Sequence, residues 1–477
     1  MTTDTGCDSA SYLRRLEKVV NQLLGGGALR TAPAIWKLQI TILQIQRDVQ
    51  RSIGLAKASS HREALDELRG IRWHARRLGD ALAFLLLGLD KHLIFPLSQN
   101  SRVRISAVDH GTRGVEAAAF ALSEQGWGFP LLHDITDCLR IGDISFITRA
   151  DGPKGPTRLR TVEIKTLLKD SEPTVDGRTK VSYQVKAMWV ADEIPTPMQQ
   201  SEPTPQPGRG AVRPVQRDRT SRQMSRLRAA KAYQLAEPNL LTEVDGQPLL
   251  STSIRRADTD NAAALQRAVR RARRNGFGSE TVEGAWMYVA LYDAEGVDVK
   301  RNPKPIEQIP RAIIESEIWA QRSVNDAVVV HSIPPLKAVG AQVFLPYFLY
   351  PIPRSSVLDL MHGRMIIFVL VNPARLVSAL ESTGFRVSSP SGRNDLGNDS
   401  LVLSTEIESD DGARLRVDLT NLQRHIEEML MEFGSLRDLV AVALAMRDSA
   451  QIGIRAKWPS RLSHQPPDAE QRESESE

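Results

Sequence analysis

RIGDISFITRADGPKGPTRLRTVEIKTL, residues 140–167, places carboxylates inside what otherwise reads as the core of a sheet. Two apolar runs flank a turn rich in Gly and Pro, the signature of paired strands. Side chains alternate along a strand, so Ile144 and Phe146 point one way while Asp143 and Ser145 point the other. On the second strand Val162 and Ile164 face the core, and Thr161, Glu163 and Lys165 share the opposite face. A symmetric hairpin centred near Lys154 sets Asp143 opposite Lys165, with Glu163 as its diagonal neighbour. Side chains so related lie within roughly 5 to 8 Å of one another.

Two carboxylates at that separation repel, and a divalent cation relieves the repulsion. Hard oxygen ligands that leave the ion partly hydrated suit Mg²⁺ or Mn²⁺. Such an ion lowers the pKa of its bound water and stabilises charge on a phosphoryl oxygen. A neighbouring ammonium can orient the attacking water or offset charge developing on the phosphorus. Asp143 followed by Glu163-Ile164-Lys165 is therefore the outline of a hydrolytic phosphodiester site. The competing reading of the same residues is a solvated polar strand face, with Asp143 after Gly142 capping a turn.

Gly142-Asp143 on one strand and Glu163-x-Lys165 on the next resemble the PD-(D/E)XK superfamily, the restriction-endonuclease-like nucleases. The resemblance covers about 110–293 and implies an α/β fold with an αβββαβ core. Its elements can be laid on 110–125, 141–149, 159–168, 179–190, 218–236 and 284–293. It implies Asp143 and Glu163 as metal ligands, joined by Glu116 on the first helix, and Lys165 as the catalytic lysine. It also implies a role for Gln223, in Arg222-Gln223-x-x-Arg226-Leu227, and a Mg²⁺ or Mn²⁺ cofactor. Two departures stand out: Ile141 occupies the place of the motif's Pro, and the interval between Lys165 and Gln223 is long.

Around this core the chain divides by composition. Residues 9–95 carry three amphipathic repeats at helical spacing: Leu13, Leu16, Val20 and Leu23; Ile35, Leu38, Ile42, Ile45 and Val49; and Leu65, Leu68, Leu78, Leu82 and Leu85. Ser60-His61-Arg62-Glu63 reads as a capping box opening the third helix. A helical bundle, or a surface for a second copy or a partner protein, fits this segment. His61, His74 and His92 lack metal-ligand spacing and read as surface residues. His133-Asp134 reads as a turn and is a candidate to line the site.

The nuclease-like core is expected over 105–295, with a Pro-rich insertion at 191–216. GAWMYVALYD, 284–293, has the near-continuous apolar content of a strand buried on both faces. An α+β domain is expected over 310–455, with strands at 327–333, 341–349, 364–371, 401–407 and 413–419. Its helices are expected at 374–383, 420–433 and 435–448, with a polar tail over 456–477 that reads as disordered.

The net charge of +5 is mild for 477 residues, but the basic side chains, most of them Arg, are clustered. Arg219, Arg222, Arg226 and Arg228 accompany Gln223, while Arg267, Arg270 and Arg271 lie on a second basic helix. Such clusters contact phosphates without regard to sequence; the alternative is a solvated helix face. Two cysteines, Cys7 and Cys138, make no disulfide framework, and the N-terminus has no secretory pattern. No apolar run reaches membrane-spanning length. A cytoplasmic, metal-dependent nuclease acting on DNA is the resulting expectation; a non-catalytic nucleic-acid-binding module on the same fold is the alternative.

Overall fold

A computed structural model describes residues 9–25, 31–98, 110–149, 157–173, 179–190, 214–235, 241–244, 247–250, 261–297, 328–334, 344–388, 402–408, 414–419 and 433–457. The Pro-rich stretch up to residue 213, the expected loop at 393–400, the expected helix at 420–433 (all but its last residue) and the tail beyond 457 lie outside these residues. The fold is mixed α/β with antiparallel sheets. It forms two compact units. The first comprises Met1–Leu235, Tyr292–Val297 and Ile333–Ile366, and the second Ala236–Leu291, Asp298–Ser332 and Ile367–Glu477. No described helix is long and apolar enough to cross a membrane.

In the first unit three helices precede the sheet: α1 (Ser9–Leu24), α2 (Ala32–Ala58) and α3 (Arg62–Leu86). Most residues of their predicted apolar stripes are buried, with Leu16, Val20, Ile42, Ile45, Leu68 and Leu82 each fully enclosed, while Leu13, Leu65 and Leu85 are partly exposed. Thr31 caps α2 by accepting from the Ala34 amide, ahead of Pro33 in the first turn. The capping box expected before α3 does not form. Ser60 has a left-handed φ of 57°, His61 holds the cap position, and no side chain bonds the first turn.

The sheet is a four-stranded antiparallel meander of β1 (Phe129–Leu132), β2 (Ile144–Arg149), β3 (Thr157–Pro173) and β4 (Thr179–Trp189), in that spatial order. β1 was not expected: its four residues include a proline, too short a run to show a period. A short helix α4 (Lys91–Ile94) leads towards α5 (His110–Glu124), which packs on the sheet and buries Val115, Ala118 and Ala119. The long helix α6 (Pro214–Leu235) follows the meander.

The bundle and the sheet fall in one compact unit, and buried polar side chains join them. Edge strand β1 has an unpaired side that needs closing. Gln39 of α2, fully buried, closes it: its Nε2 donates to Pro130 O at 2.9 Å and its Oε1 accepts from Leu132 N at 2.8 Å. Gln46 donates to Ile135 O at 2.9 Å, and Arg76 to Asp134 O at 2.6 Å. Asp80 accepts from the amides of Asp137 and Cys138 at 2.6 and 2.8 Å, with Arg77 Nη1 at 3.2 Å from its other oxygen.

His74 is buried against Tyr347, not on the surface, with Nδ1 2.8 Å from the Tyr347 hydroxyl. Burial, with a smaller contribution from His362, lowers its pKa to about 3. An unfolded His titrates near 6.5, so the unfolded chain binds this proton first as pH falls. Stability from the neutral ring is complete above about pH 6.5 and is lost progressively towards pH 3. His74→Gln is expected to flatten the melting temperature between pH 6.5 and 4 relative to the parent. Parallel pH profiles for the two proteins would disprove the assignment.

A second sheet, most of whose residues fall in the second unit, comprises β7 (Phe277–Val282), β8 (Trp286–Tyr292), β10 (Met365–Val371) and β9 (Val328–Ile333), in that spatial order. The second unit also has a hairpin, β5 (Leu241–Val244) with β6 (Gln247–Leu250), and a small sheet of β11 (Arg386–Ser388), β12 (Val402–Glu408) and β13 (Arg414–Leu419). Its described helices are α7 (Asn261–Asn275), α9 (Pro373–Glu381) and α10 (Leu436–Lys457). Helix α8 (Arg354–Met361) belongs to the first unit, so the expected 310–455 domain is divided. The strand expected at 341–349 is instead irregular chain at 344–346 and a 3₁₀ turn at Tyr347–Leu349 among the described residues.

The strand at 286–292 therefore does not complete the meander sheet. It pairs with β7 in a different sheet, so the αβββαβ order laid on the sequence loses its last element. A near-continuous apolar run fits any strand covered on both faces, and its content did not say which sheet would bury it.

Candidate active site

The period-two reading of the opening stretch holds, but its register is shifted. Ile144 pairs with Val162 and Ser145 with Thr161, which centres the hairpin on Pro153 instead of Lys154. Moving the centre by one residue moves the pairing by two. Continued one step, this register sets Asp143 level with Glu163, not Lys165; Lys165 pairs across the sheet with Lys186 of β4, an exposed cation that sequence reading missed. Asp143 straddles Glu163: its amide donates to Val162 O at 2.8 Å, and its Oδ2 accepts from Ile164 N at 2.6 Å.

Asp143 sits on a bend made possible by Gly142, whose φ is +79°. A Cβ at 142 would stand 2.5 Å from the Thr161 methyl and 3.1 Å from Val162 O, so the close approach of bend and β3 needs glycine there. Burial, then the neighbouring charge of Glu163, raises the Asp143 pKa to about 8. Asp134 adds to the rise, whereas the Ile164 amide and Lys165 oppose it. Two carboxylates thus press on each other, Glu163 buried and Asp143 partly exposed.

Glu163 is buried, and Lys165 is partly exposed. Lys165 Nζ donates to Glu163 Oε1 at 2.5 Å and to Gln223 Oε1 at 2.8 Å. Gln223 is delivered by α6, which buries Leu227, four residues on and thus on the same face, together with Ala230. The core they enter also holds Phe84, Leu97, Leu139, Ile141 and Leu159. The chain therefore brings Asp143, Glu163, Lys165 and Gln223 to one place despite the long interval before α6.

Glu116 does not join them through any described contact. It lies on α5 and accepts from Arg47 Nη2 of α2 at 2.7 Å, a partner that a helical period cannot reveal. Arg222, Arg226 and Arg228 are exposed on α6, while the side chain of Arg219 lies outside the described residues. On α7 the basic cluster is partly neutralised. Arg267 and Arg271 both pair with Glu280 of β7, at 3.4 and 2.8 Å, and Arg270 donates to Gln266. The acid that offsets these arginines comes from the adjoining strand and not from the helix itself.

His133 is the residue that sequence reading came nearest to missing. It lies in a one-turn 3₁₀ helix after β1, fully enclosed, with its pKa lowered to about 4 chiefly by burial. It lines a small cavity with Arg76, Asp134, Arg140, Gly142 and Asp143.

Among the described residues no group of three or more His, Cys, Asp or Glu side chains is arranged to hold a metal ion. Two carboxylates, Asp143 and Glu163, nonetheless fit a hard divalent cation that keeps several waters and takes further oxygens from a substrate phosphate. The placement of Asp143 level with Glu163 is the observation that supports the fit, because a cation removes the repulsion between two carboxylates so placed. Comparison with known protein families, curated proteins and solved structures finds no match in any of the three.

Proposed function

We propose that the protein is a metal-dependent nuclease that hydrolyses phosphodiester bonds in DNA. The convergence of Asp143, Glu163, Lys165 and Gln223 from three separate elements carries this reading. Asp143 and Glu163 would hold a Mg²⁺ or Mn²⁺ ion, which when bound supplies Lewis acidity and a more acidic water. Lys165 is held by Glu163 and Gln223 so that one of its three N–H bonds remains for a phosphate oxygen or the attacking water. Gln223 gives the ammonium a second acceptor beside Glu163. The exposed Arg222, Arg226 and Lys186 supply positive charge along α6 and β4, which suits a polyanion.

The test is cleavage of linear and circular DNA by the full chain with Mg²⁺, with Mn²⁺ and with a chelator. Cleavage is expected only with the cations and is expected to vanish in Asp143→Asn. That variant is nearly isosteric and keeps an oxygen to accept from the Ile164 amide, so its melting temperature should not fall. Undiminished cleavage by Asp143→Asn would refute the assignment, as would cleavage by the parent in chelator.

A further inference from the structure

Asp143 stands outside the regular part of β2, so its carboxylate is only as well placed as the bend that carries it. His133 makes two of the bonds that hold that bend, one from its backbone and one from its ring. The His133 amide donates to Asp143 O at 3.0 Å, and its ring Nδ1 lies 3.1 Å from Gly142 O. Its Nε2 lies 2.7 Å from Ser145 Oγ, which is 2.8 Å from Thr161 Oγ1.

The direction of every proton in this chain follows from donor and acceptor chemistry. A carbonyl oxygen only accepts, so Nδ1 carries the hydrogen that meets Gly142 O. In a neutral ring Nε2 is then the acceptor, and Ser145 donates to it. Its one hydroxyl proton being used, Ser145 accepts from Thr161. The two ring nitrogens therefore do different work: Nδ1 grips the bend that bears Asp143, and Nε2 is tied to the β2–β3 ladder.

We infer that His133 is the positioning residue for Asp143, acting through its Nδ1–H on the Gly142 carbonyl. The consequence for Asp143 Oδ2 and its Ile164 partner stands on the geometry alone; the consequence for a bound cation rests on the nuclease reading. Outer partners of this kind typically change metal affinity by about 10- to 100-fold when removed.

The two nitrogens can be separated by amide substitutions. His133→Asn places its amide near the Nδ1 position and retains a donor to Gly142 O. His133→Gln reaches the Nε2 position, accepts from Ser145 and gives up Gly142. Both remove a buried ring, so general loss of packing affects them alike. Ser145→Ala is the milder companion, deleting the Nε2 partner while leaving Nδ1 in place.

Two quantities are measured on the full chain: hydrogen exchange at the Ile164 amide, and affinity for Mn²⁺ added alone. His133→Gln is expected to speed Ile164 exchange about tenfold and to weaken Mn²⁺ binding about tenfold. His133→Asn and Ser145→Ala are expected to leave both within about threefold of the parent. Equal exchange at Ile164 in all four proteins would overturn the inference, and so would a larger effect of Asn than of Gln. If Ile164 responds as stated but the parent binds no Mn²⁺ and cuts no DNA, the positioning role stands and the nuclease reading fails.

Discussion

Lys165→Met is expected to reduce cation-dependent DNA cleavage by about 10²- to 10⁴-fold, the range for losing one preorganised donor or proton-transfer group. Methionine keeps most of the aliphatic stem and removes only the ammonium. Because Lys165 is partly exposed, the folded state should survive, although buried Glu163 loses the cation 2.5 Å from its carboxylate. Mg²⁺ or Mn²⁺ should then stabilise the variant more than the parent, since the ion takes over the neutralisation of Glu163. Binding to DNA should change by less than about threefold, because the exposed arginines of α6 contribute most of the phosphate contacts in this reading. Cleavage at the parent's rate would remove Lys165 from the chemistry. A parallel fall in binding and cleavage would instead make it one more phosphate contact, and the site a binding surface.

What could be read from the sequence is what depends on local period. The face shared by Asp143, Glu163 and Lys165 followed from alternation, and the buried stripes of α1 to α3 from helical spacing. The register did not follow, because the turn at 150–156 sets it and a shift of one residue in the centre leaves every side chain on its face. Gln223 could be placed on a helix, yet its bond to Lys165 depends on Leu227 and Ala230 entering a core assembled from four other segments. The polar residues Gln39, Gln46 and Asp80 were invisible as structural elements. Polar side chains on amphipathic helices read as solvent-facing, and the backbone groups these three satisfy lie 29 to 93 positions away. Glu116 and Arg267 failed for the same reason. Each is claimed by an opposite charge on another element, which a helical period does not show. Local pattern thus reached the carboxylate face but not the scaffold that holds it.

That scaffold can be tested on α3 with one substitution made at two positions. A Cβ added at Gly79 would lie 1.8 Å from Ile135 O and 2.7 Å from Ile135 C, backbone atoms that no rotamer change can move aside. Helix and turn must separate for alanine to fit. Separation strains the bonds that flank the contact, from Gln46 to Ile135 O, Arg76 to Asp134 O and Asp80 to the 137 and 138 amides. Gly79→Ala is therefore expected to destabilise the first unit by about 3 kcal/mol. Gly70 lies nine residues earlier on the same helix, exposed, and a Cβ there meets nothing within 4 Å. With no contact to oppose it, Gly70→Ala should stabilise by about 0.5–1 kcal/mol through helix propensity alone. In thermal melts of a unit this size the first change is worth about 6–12 °C downward and the second about 1–4 °C upward. Opposite signs on one helix cannot arise from propensity, so they would isolate the contact between α3 and the turn that carries His133. Two stabilising alanines would mean that the approach of Gly79 to Ile135 is not present in solution, and that α3 does not hold the turn from which Asp143 is positioned.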